Sequence, residues 1–147
     1  MAPEPALTVR VAASVAGIRQ AAAALDGFRA EHGLGDQAAW PLPVALDEIL
    51  SNIVRHASPG PTEAAIDVTF AFLDGEVEMT VSDDGPAFDP LKAPEPDLTS
   101  PLEGRRPGGL GVHLVKQLMD RVRYARVAGR NRLVMAWRVP PEAPPGP

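Results

Sequence analysis

The sequence predicts a two-layer α/β (α+β) sandwich, in which a mainly antiparallel, mixed sheet is covered on one face by about three helices. Three observations lead there. Apolar and polar residues alternate in short runs, as on strands with one buried face. Apolar residues recur at helical spacing in three other segments. The strand runs come largely in neighbouring pairs joined across glycine turns, which favours antiparallel pairing. A chain of 147 residues can build one domain with a real core and is too short for two of ordinary size.

The first element is a strand at Leu7–Ala12, LTVRVA, followed by Ser14 as a candidate helix cap. Val15, Ile18, Ala22, Leu25 and Phe28 then recur at helical spacing, and Gly33 supplies a stop. A second helix is expected over residues 43–57, PVALDEILSNIVRHA, with Pro41 and Pro43 at its start and SPGP ending it. Projected at about 100° per residue, Leu46, Ile49, Leu50, Ile53 and Ala57 form an apolar stripe. Asp47, Glu48, Ser51, Asn52 and Arg55 fall opposite. Strands over residues 64–73 and 76–83 follow, joined by Asp74-Gly75. Glycines open a third helix within residues 107–120, PGGLGVHLVKQLMD. The last two strands, 122–127 and 132–139, are joined across Gly129 and Asn131.

The net charge of -5 and the scarcity of aromatics argue against a nucleic-acid surface, which needs basic patches and stacking platforms. With no cysteine there is neither a disulfide framework nor a thiolate metal site. No run of about 18 apolar residues and no signal-peptide pattern occurs, so a soluble cytoplasmic protein without a membrane partner is expected. The 17 prolines cluster at both ends and between residues 89 and 107. Residues 1–6 and 140–147 are expected to be disordered tails around a domain spanning 7–139. A proline-rich stretch as long as 89–107 inside a domain suits a binding loop or lid.

One short run, VSDDGPAFDP, raises a question of chemistry. Val77, Met79 and Val81 alternate with polar residues, and the next step of that alternation points Asp83 to the same apolar side. An inward carboxylate is costly without a partner that brings hydrogen-bond donors. The exocyclic amino group of adenine is one such donor. The competing reading is that Asp83 and Asp84 are turn residues before a Gly-Pro break.

Two further motifs bear on that choice. Backbone N–H groups are free at the start of a helix, and the glycines of GGLG, Gly108 to Gly111, would let phosphate oxygens approach them closely. It is not a Walker motif, since no GK[ST] follows. On the second helix, Glu48 and Asn52 are four residues apart and stack on successive turns. Asn52 offers a neutral oxygen to Mg²⁺, which keeps most of its waters and phosphate ligands, and Glu48 is placed to accept a proton. Taken singly, each residue also fits a solvated helix face.

Read in order, E-x-x-x-N on a helix, D-x-G-x-x-F-D at a strand end, a loop, and G-G-L-G opening a helix resemble the three boxes of the GHKL (Bergerat-fold) ATPases. The forms ALDEILSNIVRHA, VSDDGPAFDP and GGLGVHLVKQLMD are most similar to the stand-alone anti-sigma-factor serine/threonine kinases of bacteria, over nearly the whole chain. This resemblance implies an ATP site between helices and sheet, with the loop after Pro90 as its lid. Asn52 would ligate Mg²⁺, Glu48 would act as or orient the catalytic base, and Asp83 would hold adenine with Gly85 beside it. Gly108, Gly109, Leu110 and Gly111 would surround the phosphates, Arg55 would contact them, and Ala87 and Phe88 would belong to the nucleotide pocket. Ala87 stands where many members have a second glycine.

The resemblance further implies protein partners: a STAS-domain anti-anti-sigma factor as substrate, and a sigma factor or other output protein that is sequestered. Arg105 or Arg106 would help offset γ-phosphate charge, and the LTVRV edge would allow a homodimer. None of His32, His56 and His113 is placed as a phosphoacceptor, which sets sensor histidine kinases aside. The alternatives are an ATP-binding module that sequesters a partner with little or no kinase activity, and a domain driven by ATP hydrolysis.

Overall fold

The computed structural model describes residues 7–35, 37–57, 64–92 and 109–140. The tails at 1–6 and 141–147, most of the expected lid, Gly108, Arg105 and Arg106 lie outside the described residues. Strand β1 (Leu7–Ala12) leads into helix α1 (Val15–Glu31), then α2 (Pro41–Ala57) and the hairpin β2 (Ala65–Leu73) and β3 (Glu76–Asp83). A short 3-10 turn at Pro90–Lys92 precedes helix α3 (Gly109–Leu118) and the hairpin β4 (Arg121–Val127) and β5 (Arg130–Arg138). The strands form one sheet in the order β1-β2-β3-β5-β4, with all four pairings antiparallel. The expected mixed sheet is thus corrected: every described neighbour pair runs antiparallel.

Local chemistry explains the element ends. Ser14 caps α1, its hydroxyl accepting from the Gly17 amide at 3.1 Å, which satisfies one of the donors left free at a helix start. At the other end Gly33 takes φ +68°, and the Leu34 amide donates back to the Arg29 carbonyl at 2.8 Å. Helix α2 begins at Pro41 rather than residue 43, since a proline at the first helical position gives up an N–H that has no helical partner there. Both hairpins turn on two left-handed residues, Asp74-Gly75 and Ala128-Gly129. Asn131 therefore sits inside β5, not in the turn as expected.

The helices pack on one side of the sheet. Val68 and Phe70 of β2, Val77 and Met79 of β3, and Met135 of β5 are buried against Leu25 and Phe28 of α1 and Leu42, Leu46, Ile49 and Leu50 of α2. Each such side chain contributes about 1.5–3 kcal/mol by leaving water. Val112 and Val115 on the inner face of α3 and Met119 just past its end, spaced three and four apart, are buried. After α3 the Asp120 amide donates to the Ala136 carbonyl at 2.8 Å, and its carboxylate accepts from the Arg138 amide at 2.6 Å. This clasp turns the chain into β4. The contact of α3 with α2 is what brings the glycine-rich helix start beside the Glu48–Asn52 face.

Candidate nucleotide-binding site

A cavity of about 630 Å³ opens between α2 and the ends of β2, β3 and β5. Its walls are apolar where Ile49, Ile53, Ile66, Val81 and Leu133 meet, which suits a flat aromatic ring. Polar groups enter from two sides: Asn52 and His56 from α2, and Asp83, Tyr124 and Asn131 from the sheet. The strand alternation does carry Asp83 to the helix-facing side, opposite the buried Ile66 of β2.

Asp83 is partly buried, and its Oδ1 accepts from the Gly85 amide at 2.8 Å and from Asn131 Nδ2 at 3.1 Å. Among the described residues its Oδ2 accepts nothing, so one carboxylate oxygen remains for a ligand. Gly85 turns close over this carboxylate: a Cβ there would stand 2.8 Å from Oδ1. The chain leaving β3 is held at its start by an ion-pair network in which Arg130 joins Asp84 at 2.7 Å and Asp67 at 2.8 Å. Arg10 pairs with the same Asp67 through Nε at 2.8 Å, and its guanidinium holds that carboxyl below the ordinary carboxylate range.

Asn52 corrects the sequence-based picture of α2. Asp47 and Arg55 on the same face are exposed, whereas Asn52 is only 6% exposed and lines the cavity. Its amide makes no hydrogen bond among the described residues. A buried carboxamide left with open valences fits a ligand that supplies them, and a neutral oxygen suits a hard, hydrated cation beside phosphates. Glu48, one turn earlier, is partly buried outside the cavity lining and lies against Gly111, where a Cβ would stand 2.1 Å from its Oε2. Gly109 starts α3 and Leu110 follows it, and through Gly111 this first turn lies beside Glu48. Phe88 lines the cavity and packs on His56 with ring centroids 4.0 Å apart. Arg55 and Ala87 are exposed and do not line it.

Sequence reasoning missed Asn131, Tyr124, Arg126 and His56. Asn131, placed in a turn, is instead the most connected polar side chain of the site. The period-2 pattern of β5 could have found it, since Asn131 shares its parity with Leu133, Met135 and Trp137.

A cavity of this shape, with a free carboxylate oxygen at a strand end and an open side-chain amide on the facing helix, suits a nucleotide in an α+β domain. Residues 10–137 match the histidine kinase-like ATPase domain, and the chain belongs to that family. It is 36% identical over 104 residues to the serine/threonine-protein kinase BtrW of Bordetella bronchiseptica, covering 71% of this chain and 73% of that one. It is 32% identical over 103 residues to the serine-protein kinase RsbW of Listeria monocytogenes, covering 67% of this chain and 66% of that one. The solved structure of the RsbU and RsbW domains of a Mycobacterium tuberculosis protein superposes with a TM-score of 0.63 at 21% identity, over 94% of this chain and 33% of that one. That likeness extends the fold assignment to nearly every element. No described helix is long and apolar enough to cross a membrane.

Proposed function

We propose that this chain is an ATP-dependent serine/threonine protein kinase of the partner-switching type. It phosphorylates a small STAS-domain antagonist and sequesters a sigma factor or other output protein until the unphosphorylated antagonist replaces it. The observation that carries the reading is the pairing, across one cavity, of the half-satisfied Asp83 carboxylate with the unbonded Asn52 amide. The kinases BtrW and RsbW among its relatives support the reaction class.

In this reading Asp83 Oδ2 accepts the adenine amino group, and the apolar walls take the ring faces. Asn52 would hold Mg²⁺, which supplies charge neutralisation for the β- and γ-phosphates. Helix α3 presents free amides to the same charge. Glu48 takes the proton from the substrate hydroxyl as its oxygen bonds to the γ-phosphorus, and the bond to the bridging oxygen breaks with ADP leaving. A positioned base contributes on the order of 10²–10⁴-fold.

The test is incubation with Mg-ATP and a STAS-domain protein, with phosphoserine or phosphothreonine read by mass spectrometry. Transfer is expected, with Glu48→Gln lowering it about 10²-fold or more while nucleotide binding persists. Tight ATP binding without transfer would instead favour the sequestering module.

A further inference from the structure

Asn131 makes five hydrogen bonds through one carboxamide. Its Oδ1 accepts from the Phe88 amide at 3.2 Å, from Tyr124 Oη at 2.5 Å and from Arg126 at 3.1 Å. Its Nδ2 donates to Asp83 Oδ1 at 3.1 Å and to the Pro86 carbonyl at 2.9 Å. The orientation of the amide is dictated by its neighbours. The Phe88 N–H and the Arg126 guanidinium can only donate, and the Pro86 carbonyl can only accept, so a flipped amide would lose bonds on both sides. Asn131 is also 8% exposed, so each of these bonds is made in a partly desolvated setting where a lost partner is costly.

We propose that Asn131 is a positioning residue that sets the purine specificity of this site, by fixing the rotation of the Asp83 carboxylate. This rests on the reading that Asp83 binds adenine. The Gly85 amide and Asn131 Nδ2 both bind Oδ1, and two donors on one oxygen stop the carboxylate from rotating or presenting either oxygen at random. Oδ2 is thereby the atom left for an exocyclic amino group. The accepting side of Asn131 does a separate job, tying Phe88 and the β4 residues Tyr124 and Arg126 together. Arg126 adds a bond to the Gly85 carbonyl at 2.8 Å, so the loop over the ring and the acid beneath it share one fixed frame. A site preorganised in this way discriminates sharply, because a ligand without the amino group leaves a buried acceptor unpaired.

The two arms can be separated by chemistry. Asn131→Asp keeps an oxygen facing Phe88, Tyr124 and Arg126 but replaces the donor to Asp83 with a second carboxylate oxygen. Tyr124→Phe removes one accepting bond and leaves the donating arm whole. The measurement is calorimetric affinity for Mg-ATP and for the Mg complex of purine riboside triphosphate, which differs from ATP only in lacking the 6-amino group. Asn131→Asp is expected to reduce the preference for ATP by about tenfold or more. Tyr124→Phe is expected to weaken both nucleotides together and keep their ratio.

Asp83→Asn serves as the reference. If it abolishes the preference while Asn131→Asp retains it, Asn131 is only a loop clamp and the inference fails alone. If Asp83→Asn itself leaves the preference intact, the adenine reading fails and takes this inference with it. Should Asn131→Asp not fold, Asn131→Ala, which brings neither a donor nor a charge, is read by the same ratio.

Discussion

Gly111 of α3 lies against the carboxylate of Glu48 on α2, so closely that a Cβ at position 111 would stand 2.1 Å from Oε2. Besides the phosphate contact proposed for it, the glycine-rich helix start makes room for the acid next to it. The atom in the way is the end of a flexible side chain, so Gly111→Ala is expected to turn Glu48 aside and leave the helices where they are. Phosphoryl transfer should fall by about 10–100-fold with nucleotide affinity little changed. Transfer rates equal to wild type in a normally folded variant would show that the place of Glu48 is immaterial.

The glycines of α1 give a contrasting pair for stability. At Gly17 a Cβ would stand 1.8 Å from the Ala12 carbonyl oxygen, an overlap with backbone that only a shift of α1 away from β1 can relieve. Gly17→Ala is expected to destabilise by about 1–3 kcal/mol. Gly27, on the same helix, has nothing within 4 Å of its Cβ position. Gly27→Ala should stabilise by about 0.5–1 kcal/mol through helix propensity. Denaturant titration of the two variants checks both signs, and a stabilising Gly17→Ala would mean that α1 is free to move off β1.

Much of this fold was legible because local signals agreed. Ser14, Gly33, Asp74-Gly75 and the alternation ending at Asp83 each specify their own geometry, and the elements lie where those signals place them. Errors arose where tertiary contact decides. The polar side of α2 reads as solvated from its own periodicity, yet α3 arrives from far along the chain to lie against Glu48, and Asn52 is buried at the cavity. Strand directions at the middle of the sheet are set by the pairing of β3 with β5, which no turn between them announces. Asn131 looks like a turn residue after Gly129, and its importance depends on Asp83 lying directly across the ladder.

His56 and Phe88 join the last turn of α2 to the loop after β3, with ring centroids 4.0 Å apart and planes tilted by 35°. Both line the cavity, so the pair braces the loop against the helix. An aromatic pair of this kind is worth about 0.5–1.5 kcal/mol. His56→Ala and Phe88→Ala should each weaken nucleotide binding several-fold, and the double variant should lose less than the sum. Strictly additive losses in that cycle would mean that the rings act independently.

The network at the cavity mouth predicts a dependence on acid. Asp67 accepts from Arg10 Nε at 2.8 Å and Nη2 at 3.1 Å, and it pairs with Arg130 at 2.8 Å. The Arg10 hydrogen bonds lead in lowering its pKa from 3.8; burial opposes them, and Arg130 adds to the lowering. A carboxylate whose folded pKa is depressed contributes stability above its unfolded pKa and loses it as pH falls through the lower, folded value. Asp67→Asn should therefore be less stable than wild type at neutral pH, and the gap should close as pH falls below 3.8. Other carboxylates titrate in both proteins, so the difference between them isolates Asp67. The gap should also narrow in high salt, because the Arg10 side chain is 65% exposed and its share of the pairing is screened. Urea midpoints at pH 7, 5, 4 and 3 would measure it. A gap that stays constant across that series would show that the arginines place Asp67 sterically and that its charge contributes nothing.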